Sequence, residues 1–292
     1  MSIEPFLALA CPLDGEPLIQ TGTAWCCPAG HNFDVARQGY THLLPVQNKR
    51  SRHPGDSKEM VAARRRFLNS GCYQPIADAV NRAVLGEGAD EPPLRCLDAG
   101  CGEGYYLREL GEACPEGKTL EALGVDISKW AVLAAAKQDK RPAWVVATNA
   151  RLPVLSASVD RVLCLFGFPV YAEFARVLKP GGLLIQVDAG PEHLRELREI
   201  IYPTLKPEKT AVPEDPEGFI TLSTATERFP LALDSQERIA DLLAMTPHLY
   251  RAPVEGLERA AALTSLAVTV DVRLTCYQCV PGNPPLDEKE NA

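Results

Sequence analysis

An acid followed by three alternating glycines, Asp98-Ala99-Gly100-Cys101-Gly102-Glu103-Gly104, is the stretch of this 292-residue chain best suited to hold a small ligand against its backbone. The apolar run ahead of it reads as a strand. Residues 105–110 read as the opening of a helix, whose first turn carries partial positive charge. Gly100, Gly102 and Gly104 let a ligand approach closely, and the spacing departs from the dinucleotide pattern G-x-G-x-x-G. A second acid, Asp126, ends the run Leu123-Gly124-Val125, 22 positions beyond Gly104. There it can accept from a ribose hydroxyl pair, as acids do in doubly wound folds. A different chemistry is marked near the amino terminus, where Cys11, then Cys27 and His31, stand at the spacing of two metal-binding knuckles.

The elements that must position these residues follow from the hydrophobic pattern. Residues 143–147, 159–166 and 183–187 are short apolar runs, the last preceded by the turn Leu178-Lys179-Pro180-Gly181-Gly182. Strand and helix alternate five times from residue 91 onward, which predicts an α/β fold with a parallel sheet covered on both faces. The glycine motif, the Lys-Pro-Gly-Gly turn and Arg151-Leu152-Pro153 resemble class I S-adenosylmethionine-dependent methyltransferases. The resemblance implies a Rossmann-like seven-stranded sheet with S-adenosylmethionine as cofactor. Asp98 would receive its methionine ammonium, and Gly100, Gly102, Gly104 and Tyr105 would pack against it. Asp126 and Ile127 would hold the ribose, while Asn149, Ala150, Arg151 and Leu152 would border the adenine.

In the amino-terminal module the position of one expected cysteine is held by Asp14. A carboxylate can ligate zinc, and the neighbouring Cys26 is a possible substitute. Two readings stand: a zinc ribbon built on Cys11, Asp14, Cys27 and His31, or a metal-free hairpin module packed on Leu18, Trp25 and Phe33.

Charge is unevenly placed. The chain is net −8, yet residues 34–66 carry eight cations against three anions, a local +5. A basic surface on an acidic protein can grip a phosphate backbone; Arg37, Lys49, Arg50, Arg52, Arg64 and Arg65 are the candidates. The run from His31 to Tyr40, then Leu43-Leu44-Pro45-Val46-Gln47, Pro54-Gly55-Asp56, Ala63-Arg64-Arg65, Gly71-Cys72-Tyr73, Gly190-Pro191-Glu192-His193-Leu194 and Met245-Thr246-Pro247 closely resembles the bacterial 23S rRNA (guanine-N1)-methyltransferases. That likeness spans nearly the whole chain. It implies a zinc-binding RNA-recognition module joined to a class I catalytic domain, 23S rRNA as partner, and a homodimer. Lys49-Arg50-Ser51-Arg52 is similar to the Gram-negative branch, which implies a 745-type guanine in a domain II hairpin over a 748-type one.

Methylating guanine N1 requires an extruded base, loss of the N1 proton and alignment of donor and acceptor. Phe166 and Phe168, after the fourth strand, are candidates to stack on the base. His193 is the first candidate for proton acceptor, as imidazole titrates near neutrality, with Asp188 second and solvent as an alternative. Cys276 and Cys279 follow an alternating strand and read as structural. The expected organisation is 1–42 recognition module, 43–90 basic connector and helix, and 91–292 methyltransferase domain. No apolar run approaches the length of a bilayer span, no secretory signal is evident, and several of the ten cysteines lie in predicted buried strands, as reduced thiols do. These features predict a cytoplasmic protein without a membrane partner. Two other readings remain: a small-molecule methyltransferase, which has no need of the basic segment, and a non-catalytic rRNA-binding assembly factor, which has no need of Asp98, Asp126 or the glycines.

Overall fold

The computed structural model describes residues 2–45, 47, 54–86, 93–205 and 214–280. The chain opens with β1 (Ser2–Pro5), the short strands β2 (Ile19–Thr21), β3 (Ala24–Cys26) and β4 (Asn32–Asp34), and then β5 (Tyr40–His42). Helices α1 (Lys58–Asn69) and α2 (Gln74–Leu85) lead into β6 (Leu94–Ala99), α3 (Tyr105–Ala113), β7 (Thr119–Asp126), α4 (Lys129–Gln138) and β8 (Ala143–Val146). Next come β9 (Val159–Leu165), α5 (Tyr171–Val177), β10 (Leu178–Ala189) and α6 (Arg195–Ile201). The chain continues with β11 (Phe219–Leu233), α7 (Gln236–Ala244), α8 (His248–Arg251), α9 (Val254–Ala261) and β12 (Leu266–Cys279). Among the described residues no helix is long and apolar enough to cross a membrane.

The expected seven strands, β6 to β12, form one sheet in the order β11-β12-β10-β9-β6-β7-β8. β6 through β10 are parallel, and β12 runs antiparallel between β10 and β11. The amino-terminal region adds two strands that periodicity did not predict. β5 extends the sheet beyond β8, and β1 pairs in parallel with Thr119–Ala122 of β7, while β8 pairs with Leu123–Asp126. Since β6 takes the other edge of β7, β1 and β8 lie in tandem along one edge. Only β2, β3 and β4 form a separate three-stranded ribbon.

Successive strand residues face opposite sides, so the sheet has two cores. On one face Cys96, Leu120, Ala122 and Leu163 pack under the helices. On the other, Leu97, Leu123, Val125 and Val162 share a core with Phe174 of α5 and with Phe6, Leu9, Leu18 and Trp25 of the amino-terminal segment. That segment is also hydrogen-bonded to the loop after β8, through Ala10 N to Pro153 O (3.0 Å) and Leu155 N to Ala8 O (3.0 Å).

Trp144 of β8, fully buried, donates its indole N–H to Asp139 O at 2.8 Å and packs its ring against Gly124 of β7. A Cβ at Gly124 would overlap that ring. Gly124→Ala is therefore expected to destabilise the protein by about 1–3 kcal/mol, as overpacking does. A lowered urea midpoint at unchanged m-value would report it; an unchanged midpoint would mean that the ring has room to withdraw.

Candidate cofactor and metal sites

The carboxyl ends of β6, β7 and β8 meet at a crevice, the usual ligand position of open α/β sheets. The glycine turn after β6 is fastened to β7 by Gly100 N and Cys101 N donating to Val125 O at 2.8 and 3.0 Å. Asp126 completes the fastening: its Oδ2 accepts from Gly102 N at 3.0 Å and its Oδ1 from Ser128 N at 2.7 Å. From β8, Asn149 Nδ2 donates to Ala99 O at 3.2 Å, which draws the loop 148–152 onto the end of β6. Ala150 and Arg151 are exposed on that loop, whereas the Leu152 side chain is buried in the second core.

Asp98 is the electrostatic centre. It is 1% exposed, and neither carboxylate oxygen has a hydrogen-bond partner. Burial, helped by the nearby charge of Asp126, pushes its pKa up to about 8. An orphaned buried acceptor is costly, and here it lies beside open backbone, because a Cβ at Gly100 would meet nothing within 4 Å. The residues fit the cofactor: a buried acid for an ammonium, a half-buried acid for a ribose, and a bare turn between them. That is the arrangement S-adenosylmethionine, the expected cofactor, requires.

Tyr105, expected at the cofactor, instead turns its hydroxyl to Gln74 Oε1 at 3.2 Å. The adjacent Tyr106 was not singled out in the sequence; its hydroxyl is buried without a partner, and the group lies within electrostatic reach of Asp98 and Arg64. Two consecutive tyrosines after the last glycine were the available signal, but which one faces inward depends on the phase of α3.

Beyond β9, Phe166 holds a positive φ of 54°, a strained setting for a side chain of that size. Its ring centroid lies 6.1 Å from that of Tyr73 and 5.9 Å from that of His193. Phe166 is 40% exposed and Phe168 86% exposed, so both are open to a base. The geometry corrects the reading of His193 as proton acceptor. Its Nδ1 accepts from Asp271 N at 3.3 Å, so in the neutral ring the proton sits on Nε2, 3.5 Å from Tyr73 Oη. Burial moreover lowers its pKa to about 4. The available nitrogen is thus a donor at neutral pH. Asp188, half-buried at the end of β10, accepts from Gln186 Nε2 at 2.8 Å through one oxygen.

The basic residues divide. Lys49, Arg50 and Arg52 lie outside the described residues. Arg37 and Arg65 are exposed. Arg64 is corrected from a solvent-facing cation to an inward one: its Nη1 is 2.7 Å from Asp56 Oδ2, and its Nη2 donates to Met245 O at 3.2 Å.

Cys11, Asp14, Cys27 and His31 converge, with one donor atom of each within 4.8 Å of the others. Cys11 Sγ and Cys27 Sγ lie 3.5 and 3.3 Å from His31 Nδ1, and Cys27 Sγ lies 3.2 Å from Asp14 Oδ2. Asp14 Oδ1 accepts from Glu16 N at 3.0 Å, leaving Oδ2 to face the cluster. Hydrogen bonds from Cys11 and from the Glu16 N–H hold the Asp14 carboxyl well below its usual range, so it is an anionic donor. Two sulfurs, an imidazole and a carboxylate make a tetrahedral zinc set. Cys26, the proposed substitute, takes no part, since strand alternation on β3 turns it away from the buried side that Trp25 occupies. Cys276 and Cys279 are buried on β12, the latter donating to Ala175 O at 3.7 Å, in agreement with a structural role.

Comparison with known proteins matches residues 9–52 to the family described as RlmA, N-terminal, and residues 97–186 to the one described as Methyltransferase domain. A protein of Micromonospora griseorubida, provisionally named a 23S rRNA (guanine-N(1)-)-methyltransferase, is 38% identical over 92% of this chain and 97% of its own. YxjB of Bacillus subtilis (strain 168), provisionally given the same name, is 34% identical over 91% of this chain and 95% of its own. The 23S rRNA (guanine(748)-N(1))-methyltransferase of Streptomyces fradiae is 36% identical over 65% of this chain and 66% of its own.

Two measurements check these sites. Metal analysis of chain purified without chelator should give one zinc per chain; Cys27→Ala should lose it, and Cys26→Ser should keep it. Loss in both variants would return Cys26 to the ligand set. Asp98 is an acid whose pKa is raised by folding, so the free protein binds more protons than the unfolded chain between the ordinary aspartate range and about pH 8, and stability falls as pH rises through that window. An ammonium beside Asp98 reverses this by favouring the carboxylate. Binding of S-adenosylhomocysteine at pH 7 should therefore release protons, seen by calorimetry in buffers of different ionisation enthalpy, and Asp98→Asn should abolish the release. An equal release by both proteins would assign it elsewhere.

Proposed function

The chain belongs to the RlmA family of 23S rRNA (guanine-N1)-methyltransferases, and from that premise we propose that it transfers the methyl group of S-adenosylmethionine to N1 of a guanine in a domain II hairpin of 23S rRNA. The observation that carries this reading is the near full-length likeness to the Micromonospora protein, which spans the metal module and the catalytic domain together. The 745-type guanine is the favoured target, on the Lys49-Arg50-Ser51-Arg52 resemblance. The 748-type guanine is the second reading, because the Streptomyces relative bears that position in its name. Residues 1–42, with Arg37, and the connector 43–90, with Arg65, serve as the RNA grip, and 91–292 as the catalytic unit.

Bound cofactor supplies an electrophilic methyl group on a sulfonium. The chain does the remainder. Asp98 and Asp126 fix the two ends of the cofactor against the glycine turn. Phe166, held with Tyr73 and His193 in a three-ring wall, offers a face on which the extruded guanine stacks, and Phe168 can close on it from solvent. Loss of the N1 proton leaves charge shared with the base carbonyl oxygen, which suits His193 as a donor. Asp188, whose Oδ2 accepts from Gln186 at the same strand ends, is the residue assigned in this reading to take the proton.

N1 methylation blocks Watson-Crick pairing and stops reverse transcriptase. Primer extension over 23S rRNA from cells lacking the protein should lose one stop at the 745-type guanine; loss at the 748-type position would select the second reading, and an unchanged pattern would refute both. In reconstituted reactions Asp188→Asn should lower kcat by about 10²–10⁴-fold, the range of general-base catalysis, with cofactor affinity kept. An unaltered kcat would leave the proton to solvent.

A further inference from the structure

One cation of the basic segment faces the cofactor crevice. Arg64 Nη1 lies 3.3 Å from where a Cβ on Gly102 would stand, so the guanidinium covers the middle of the glycine turn. Asp56 and Met245 O together engage two of its N–H groups. A guanidinium has five such donors, and about a quarter of the side chain remains exposed. Burial raises the pKa of both Asp126 and Tyr106, and the positive charge of Arg64 opposes that rise in part. Arg64 and Asp98, the buried acid whose two oxygens have no partner, both act on the buried Tyr106 hydroxyl.

An amino-acid end group is a zwitterion. A pocket with an orphaned carboxylate alone satisfies half of it and leaves an anion to be desolvated. We infer that Arg64 is the counter-charge for the carboxylate of the cofactor's methionine moiety, with Asp98 taking the ammonium and Asp56 orienting the guanidinium. Arginine suits the position because its planar fork meets a carboxylate with two parallel hydrogen bonds, which lysine cannot do. The arrangement explains why an arginine next to two others in sequence is turned inward while Arg65 faces solvent. It also explains the seating of the segment 54–56. Gly55 packs against Ile127 and Ser128, where a Cβ would stand 2.9 Å from both, and Ser128 Oγ donates to Asp56 O at 2.7 Å. Asp56 is thereby anchored to the ribose end of the site while it holds the residue at the methionine end. The inference stands on the cofactor alone and holds whichever acceptor is methylated.

The test compares two ligands by calorimetry on the full chain: S-adenosylhomocysteine, and its decarboxylated form, which keeps the ammonium and the thioether. The parent should prefer the first by at least tenfold. Arg64→Gln should weaken S-adenosylhomocysteine by about the same factor and leave the decarboxylated ligand unchanged; Arg64→Lys should restore part of the preference. No preference in the parent overturns the assignment before any variant is made. A preference that survives in Arg64→Gln, or an equal loss of both ligands, overturns it as well, the latter by showing that Arg64 only supports the turn. Should Arg64→Gln fail to fold, the ratio of the two affinities in Arg64→Lys decides, since a point charge must narrow the parent's preference if the fork binds the carboxylate.

Discussion

A buried carboxyl group with no hydrogen-bond partner is the constraint around which the catalytic half is arranged. Asp98 stands at the end of the central strand, where the strand order turns from β6 to β9. Leaving such an acceptor unpaired costs on the order of 1–3 kcal/mol, and the surroundings keep it so. The turn that follows is bound to β7 through Val125 O and Asp126, and so cannot fold down over the acid. Trp144 fills the space beneath, leaving the turn no room to sink. The site is held open by packing below and by hydrogen bonds beside it, and the stability lost at one residue is recoverable only from a ligand.

The amino-terminal region is less separate than a two-module organisation suggests. Its ribbon has its own small sheet and its own metal set. The residues on either side of the ribbon, in β1 and β5, are strands of the large sheet, and Phe6, Leu9 and Trp25 belong to one of its cores. The metal cluster therefore has a fixed position relative to the crevice, with the loop after β8 touching both: residues 153–155 hydrogen-bond the amino-terminal segment, and Asn149 reaches the end of β6.

Much of this could be read from residue type and spacing. Asp98, Asp126 and the three glycines announced the crevice because close backbone approach and paired acceptors demand those residues. The five parallel strands β6 to β10 showed as apolar runs, whereas β11, largely exposed, did not. The ligand set Cys11, Asp14, Cys27 and His31 was recoverable because each pair lies on a tight turn. What stayed hidden depends on distance in space. β1 and β5 are too short for a period to declare itself, and their partners lie far along the chain. Arg64 and Arg65 are indistinguishable as letters; the helix phase sends one to Asp56 and the other to solvent. His193 looked like a base until the N–H of Asp271 fixed its tautomer, a fact that no local pattern contains.

The tandem of β1 and β8 on one edge of β7 has a consequence for how the molecule comes into being. Ser2 pairs with Thr119, and Tyr40 with Trp144, so both borders of the ribbon wait for partners made much later. Contacts of such wide sequence separation form slowly, because loop closure must precede any gain from them. The ribbon, closed over a few residues by its own ligands, has no such delay. During synthesis the metal knuckles can be complete while the strands on either side are still unpaired, and β1, made before the ribbon, can enter the sheet only after β7 has been made.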